Sequence, residues 1–202
     1  MSYCDWGATD ELHRAYHDAE WGVPVHDDRT MFEHLSLECL QCGLSWGLML
    51  KKRAIFRECF DGFDFDKIAR YADAADVARI LATEGMIRSP RKVAAIVNNA
   101  KRVLEVRDEF GSFCEYFWRY SDGKTILYRG HDSGAIPVSN GLSARIGADL
   151  KMRGFLYVGA ITIYSHLQAC GIVCDHDKNC LCRQKIVENY PTVVKNRDCE
   201  QF

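Results

Sequence analysis

Apolar residues recur in this chain at three- and four-residue intervals almost from end to end, and sustained two-residue alternation is hard to find. A 3.6-residue period belongs to helices that bury one face, so the pattern predicts an all-α fold. Helices fit 28–42, 47–60, 66–72, 74–83, 90–110, 112–120, 142–152 and 160–171, with Gly62, Gly85 and Gly111 breaking the run between neighbours. In the first of these, either Asp28 or Thr30 serves as the cap, Glu33 completes a capping box with Thr30, and Met31, Leu35 and Cys42 share one face. Glu38 falls on that same apolar face. Turn-forming residues collect in 121–140, which reads as the least regular connection. A chain of 202 residues suits a single domain of two closely packed helical lobes over 1–182. The polar stretch 183–202 then reads as a tail, a candidate for disorder.

The opening MSYCDWGATD has neither a basic n-region nor an apolar h-region, and no stretch reaches the apolar length of a bilayer span. A cytoplasmic monomer without membrane attachment is the expectation. In that setting ten cysteines are thiols or metal ligands rather than a disulfide framework. A net charge of -2 leaves any nucleic-acid binding to local basic patches.

Three constellations carry chemistry. Cys4 and His17 stand near the start, and His176 and Cys180 near the end in H-x-x-x-C spacing. Two thiolates and two imidazoles suit one tetrahedral zinc of structural type, stapling the two ends together, although Cys174 and Cys182 compete as ligands and buried thiols with surface histidines are the alternative. The stretch 142–171 reads as helix, turn bounded by Gly154 and Gly159, helix, with Lys151 and Arg153 flanking the turn. Its exposed N–H groups can hold a DNA phosphate without reading sequence, and an ordinary αα-hairpin is the alternative. Lys51-Lys52-Arg53, Arg88 and Arg91-Lys92 can follow the same backbone. Finally, Trp6, Tyr16, Trp21 and Trp46 lie near Glu38 in sequence. Aromatic planes with one carboxylate form a receptor for a flat cationic ring; each tryptophan taken alone is more commonly core packing, but a carboxylate among Met31, Leu35 and Cys42 is costly to bury without a partner or a cationic ligand.

The segments 3-YCDW-6, 16-YHDAEWGVP-24, 37-LECLQCGLSW-46, 50-LKKR-53, 85-GMIRSPRKVAAIVNNA-100, 153-RGFLYVG-159 and 175-DHDKNC-180 together resemble the bacterial 3-methyladenine DNA glycosylase I family of the helix-hairpin-helix superfamily, over nearly the whole chain. The resemblance implies that Cys4, His17, His176 and Cys180 bind one zinc ion, that Glu38, Tyr16 and Trp46 contact an extruded base, and that Trp6 and Trp21 help build the pocket. It also implies that the hairpin grips double-stranded alkylated DNA, that Gly43 and Leu44 fill the gap left by the base, and that 3-methyladenine is released by a monofunctional enzyme. His13 stands where the family usually has tyrosine, and 158-VGAITIY-164 replaces a threonine-rich segment. Asp175 invites comparison with the superfamily's catalytic aspartate; support for His176 is the plainer reading.

Overall fold

The computed structural model describes residues 4–131 and 136–196. Among them the helices are α1 (Glu11–Ala19), α2 (Asp28–Gln41), α3 (Trp46–Cys59), α4 (Phe65–Ile68), α5 (Asp73–Ala82), α6 (Pro90–Phe110), α7 (Phe113–Trp118), α8 (Gly141–Met152), α9 (Ala160–Ala169) and α10 (Leu181–Asn189). Two strands, β1 (Thr125–Tyr128) and β2 (Thr192–Lys195), pair in parallel, Thr125 opposite Thr192 and Tyr128 opposite Lys195. The all-α expectation is therefore corrected by a small sheet. Its strands are too short for alternation to register, yet Thr-Ile-Leu-Tyr and Thr-Val-Val-Lys are rich in residues that favour extended backbone. The stretch after Cys182 is corrected too: α10 and β2 lie in it, and Ile186 packs with Leu127 and Cys174.

Helix α2 is the axis of the fold. Every residue from Met31 to Leu40 is buried, with α6, α7 and α9 packed against it, so the single apolar face seen in the pattern understates its burial. Its cap is Asp27, whose carboxylate accepts from Thr30 N at 2.7 Å. Asp28 instead accepts from Phe113 N and Cys114 N, at 3.0 and 2.8 Å, and so satisfies the first turn of α7. Glu33 makes no capping box: Arg53 and Arg57 on α3 bind its carboxylate at 2.6 and 2.8 Å. With the cap at Asp27, Glu33 stands six residues into α2, out of reach of the cap's N–H, and its carboxylate is left to the two guanidiniums.

The predicted hairpin is formed by α8, the turn 153–159 and α9, and α8 and α9 pack on each other. A capping box between Asn140 and Ser143 opens α8. Gly154 ends it at φ +85°, a conformation other residues adopt only under strain. Long helix α6 holds the turn from below. Asn99 takes both backbone groups of Leu156, N at 2.8 Å and O at 3.0 Å, and Asn98 donates to Gly154 O at 2.8 Å.

Candidate active site

Four aromatic rings, Trp6 from the N-terminal turn Asp5–Ala8, Tyr16 from α1, Trp21 from the segment after α1 and Trp46 from α3, converge with the middle of α2 on one cavity. About 420 Å³ in volume, it is lined by Trp6, His13, Tyr16, Trp21, Glu38, Gln41, Trp46, Ile136, Ser165 and Gln168. Helix α1 supplies His13 and Tyr16 one turn apart, and Asp10 anchors its start by accepting from His13 N at 2.9 Å. Ser45 caps α3 and sets Trp46 at its first position. The Tyr16 and Trp46 rings stand 5.2 Å apart, and Trp6 meets Trp21 edge to face at 4.9 Å.

Glu38 is 6% exposed, and burial raises its pKa to about 8. The rise has no counterweight, since no cation or hydrogen bond among the described residues favours the ionised form. Tyr16 Oη and Trp46 Nε1 are likewise buried without a hydrogen-bond partner among the described residues. Buried polar atoms are ordinarily satisfied, so three such groups around one cavity mark a place prepared for a polar, flat ligand.

The sequence-predicted metal ligands also come together. His176 Nδ1 lies 3.2 Å from His17 Nε2, 3.5 Å from Cys4 Sγ and 3.6 Å from Cys180 Sγ, while Cys180 Sγ lies 3.5 Å from His17 Nε2. With metal–nitrogen and metal–sulfur bonds of about 2.0 and 2.3 Å, the edges of a tetrahedron span about 3.3 to 3.8 Å, which these spacings match. The outer atoms agree: His17 Nδ1 donates to Asp18 Oδ1 at 2.8 Å and His176 Nε2 to Trp21 O at 2.9 Å, leaving both inner nitrogens as lone-pair donors. Asp177 N donates to Cys4 Sγ. The four residues are thus able to hold a metal ion. Gly22 is required beside them, at φ +80°, because a Cβ there would fall 2.9 Å from His176 Nε2. Of the competing thiols, Cys174 packs with Leu127 and Ile186, and Cys182 faces His17 Nδ1 and Asp18, outside the four-ligand cluster. The two sites share a wall: Trp21 stacks edge-on against His176 at 4.5 Å, and Trp6 against His17 at 5.3 Å.

Several expectations need correction. Asp175 does not support His176; its carboxylate binds His131, Tyr164 and Gln168. Arg153 is held by Glu109 at 2.6 Å and Asp149 at 2.9 Å and lies over the Phe110 ring, so it braces the hairpin from within. Arg53 is likewise occupied by Glu20 and Glu33, and Lys52 donates to Gly85 O. Lys92 is buried and donates to Leu40 O and Cys42 O, closing the end of α2. Lys151, Arg91, Arg88 and Lys51 remain exposed. Gly43 is exposed at φ +76°, Gly159 precedes α9 in extended backbone, and Leu44 is half-buried against the core. Sequence reasoning missed Gln41, Ile136, Ser165 and Gln168 in the cavity and the clamps Asn98 and Asn99, and read the clamp Lys92 as a cation following the DNA backbone. The clamps lie in a quoted family segment, but isolated polar residues on otherwise apolar helices carry no signal of what they face.

The family model described as methyladenine glycosylase matches residues 6–184. The chain belongs to the methyladenine glycosylase family. DNA-3-methyladenine glycosylase 1 of Escherichia coli is 39% identical over 182 residues, covering 90% of this chain and 97% of that protein. A crystal structure of 3-methyladenine DNA glycosylase I superposes with a TM-score of 0.84 at 42% identity, over 90% of this chain and 99% of the other. The 3-methyladenine DNA glycosylase I of Staphylococcus aureus, solved to explain its recognition of 3-methyladenine, matches with a TM-score of 0.84 at 32% identity over 90% and 96% of the two chains. The helical body with its small two-stranded sheet thus matches the fold of these solved structures.

Proposed function

We propose that this methyladenine glycosylase hydrolyses the bond between 3-methyladenine and deoxyribose in alkylated double-stranded DNA, releasing the free base and leaving an abasic site. The observation that carries the reading is Glu38, a carboxylate buried beneath aromatic rings with nothing among the described residues to pair with. A neutral adenine gives it no reason to ionise. An N3-methylated adenine in DNA is cationic, repays the desolvation of the carboxylate, stacks on Tyr16 and Trp46, and leaves readily because bond cleavage neutralises it. One carboxylate then suffices where ordinary glycosidases use two. Trp6, Trp21 and His13 complete the pocket.

The helix-hairpin-helix reading of α8, its turn and α9 assigns DNA contacts to Lys151 and to the backbone at Gly154 and Gly159, with Gly43 and Leu44 entering the gap left by the base. Cys4, His17, His176 and Cys180 hold one structural zinc, whose chemistry is to tie the N-terminal turn to the segment before α10; all four tetrahedral positions are filled by protein, so none is left for substrate. The enzyme acts as a cytoplasmic monomer without strand cleavage. A base-release assay on methylated DNA with chromatographic detection tests the activity: free 3-methyladenine is expected from the wild type, and binding of methylated DNA without any release would reject the enzyme in favour of a lesion-binding module.

A further inference from the structure

Helix α9 turns two polar side chains, Ser165 and Gln168, into the cavity. Gln168 Nε2 donates to Asp175 Oδ2 at 2.8 Å. That carboxylate is 2% exposed and is itself fixed, taking Tyr164 Oη on Oδ2 at 2.6 Å and His131 Nδ1 on Oδ1 at 2.8 Å. A carboxylate offers only acceptors, so it dictates which end of the Gln168 amide it receives: the NH₂ turns to Asp175, and the carbonyl Oε1 is left for the cavity. Asp175 itself does not line the cavity.

We propose that Gln168 is a specificity-determining residue whose Oε1 accepts a hydrogen bond from the exocyclic amino group of the bound purine, and that Asp175 is the positioning residue that keeps the amide in that orientation. The inference rests on reading the cavity as the receptor for a methylated adenine. It adds an acceptor that is not Glu38, and with it a rule: a purine with a carbonyl in place of the amino group sets oxygen against oxygen. Because NH₂ and C=O differ little in shape, the aromatic walls cannot make this distinction. Asp175, with its three donors, prevents the flip that would otherwise let a glutamine accept either ligand.

The test is a titration of the full-length, metal-loaded protein with free 3-methyladenine and with 3-methylhypoxanthine, which carries the carbonyl, followed by calorimetry or the fluorescence of the cavity tryptophans. The wild type should prefer the amino ligand about tenfold or more, the scale of one buried hydrogen bond made or opposed. Gln168→Leu should lose most of that preference, by loosening the amino ligand and tightening the other; Gln168→Met repeats the test at matched chain length should leucine disturb the fold. Asp175→Asn, which touches neither ligand, should lower the preference in the same direction, because an asparagine accepts or donates and frees the amide to turn. A ratio unchanged in the Gln168 variants, or both ligands weakened equally, would overturn the proposal. A wild type that binds neither base would reject the underlying reading of the cavity instead.

Discussion

Two clusters of buried polar groups stand on opposite sides of the Trp6–Trp21 wall, and they are built on opposite principles. In the Cys4/His17/His176/Cys180 cluster the outer ring nitrogens are anchored by Asp18 and the Trp21 carbonyl, the Asp177 amide donates to the Cys4 sulfur, and the inner atoms face one another at tetrahedral spacing. Around the cavity, Glu38, Tyr16 Oη and Trp46 Nε1 are buried with no partner among the described residues. The first arrangement is complete within the chain once an ion is counted. The second leaves its polar groups to a ligand from outside, at a cost to the fold. Hydrogen-bond satisfaction therefore separates the two clusters, although both are made of titratable side chains.

Perturbing the two sides should separate them, and the metal cluster should give the largest effect. One zinc per chain is expected by elemental analysis; Cys4→Ser or His176→Ala should abolish it and lower the melting temperature by roughly 10 °C or more, the shift expected for several kcal/mol in a domain of this size. A metal-free protein of undiminished stability would break the comparison at once. Next comes Glu38→Gln, predicted to slow base release by roughly 10- to 100-fold, the scale of a hydrogen bond to a charged group, while leaving metal content intact.

The same variant carries a pH signature. The folded-state pKa of Glu38 is raised to about 8 by burial, above its ordinary value of 4.5, so the fold favours the protonated form. The burial penalty of Glu38 thus grows between about pH 4.5 and 8 and is full above 8. Wild-type stability relative to Glu38→Gln should fall across that window, and the rate of base release should rise toward pH 8 with a limb that the variant lacks. Identical pH profiles for the two proteins would remove the role given to the carboxylate. Trp46→Ala is expected to cost about tenfold in release through lost stacking. The smallest effect belongs to neither cluster: Lys151→Ala should lower the salt dependence of DNA affinity by about one charge equivalent, whereas Arg153→Ala should lower stability and leave the salt slope alone.

Much of this was legible before the structure. Helix α6 was read at its true bounds because proline at the start, glycine after the end and an unbroken apolar stripe agree. The four residues that come together as a cluster able to hold a metal ion were named from chemistry, spacing and resemblance, and Glu38 from its place on an apolar face. Errors arose where one residue type serves several partners. Asp27, Asp28 and Thr30 are all competent caps, and only packing against α7 shows that Asp28 serves another helix. Arg153 and Lys151 read alike as hairpin cations until Glu109 and Asp149, distant or masked in the pattern, are seen to claim one of them.

The sequence by itself determined the helical body, the residue types for a metal staple and an aromatic receptor, and the family, because these rest on periodicity and side-chain chemistry carried by the residues themselves. Tertiary structure alone decided which polar groups are satisfied. Pairing in space joins β1 to a strand more than sixty residues away, turns Asp175 from His176 to Gln168, and leaves Glu38 alone under its aromatic rings. A carboxylate's role depends on what surrounds it, and no local pattern records that.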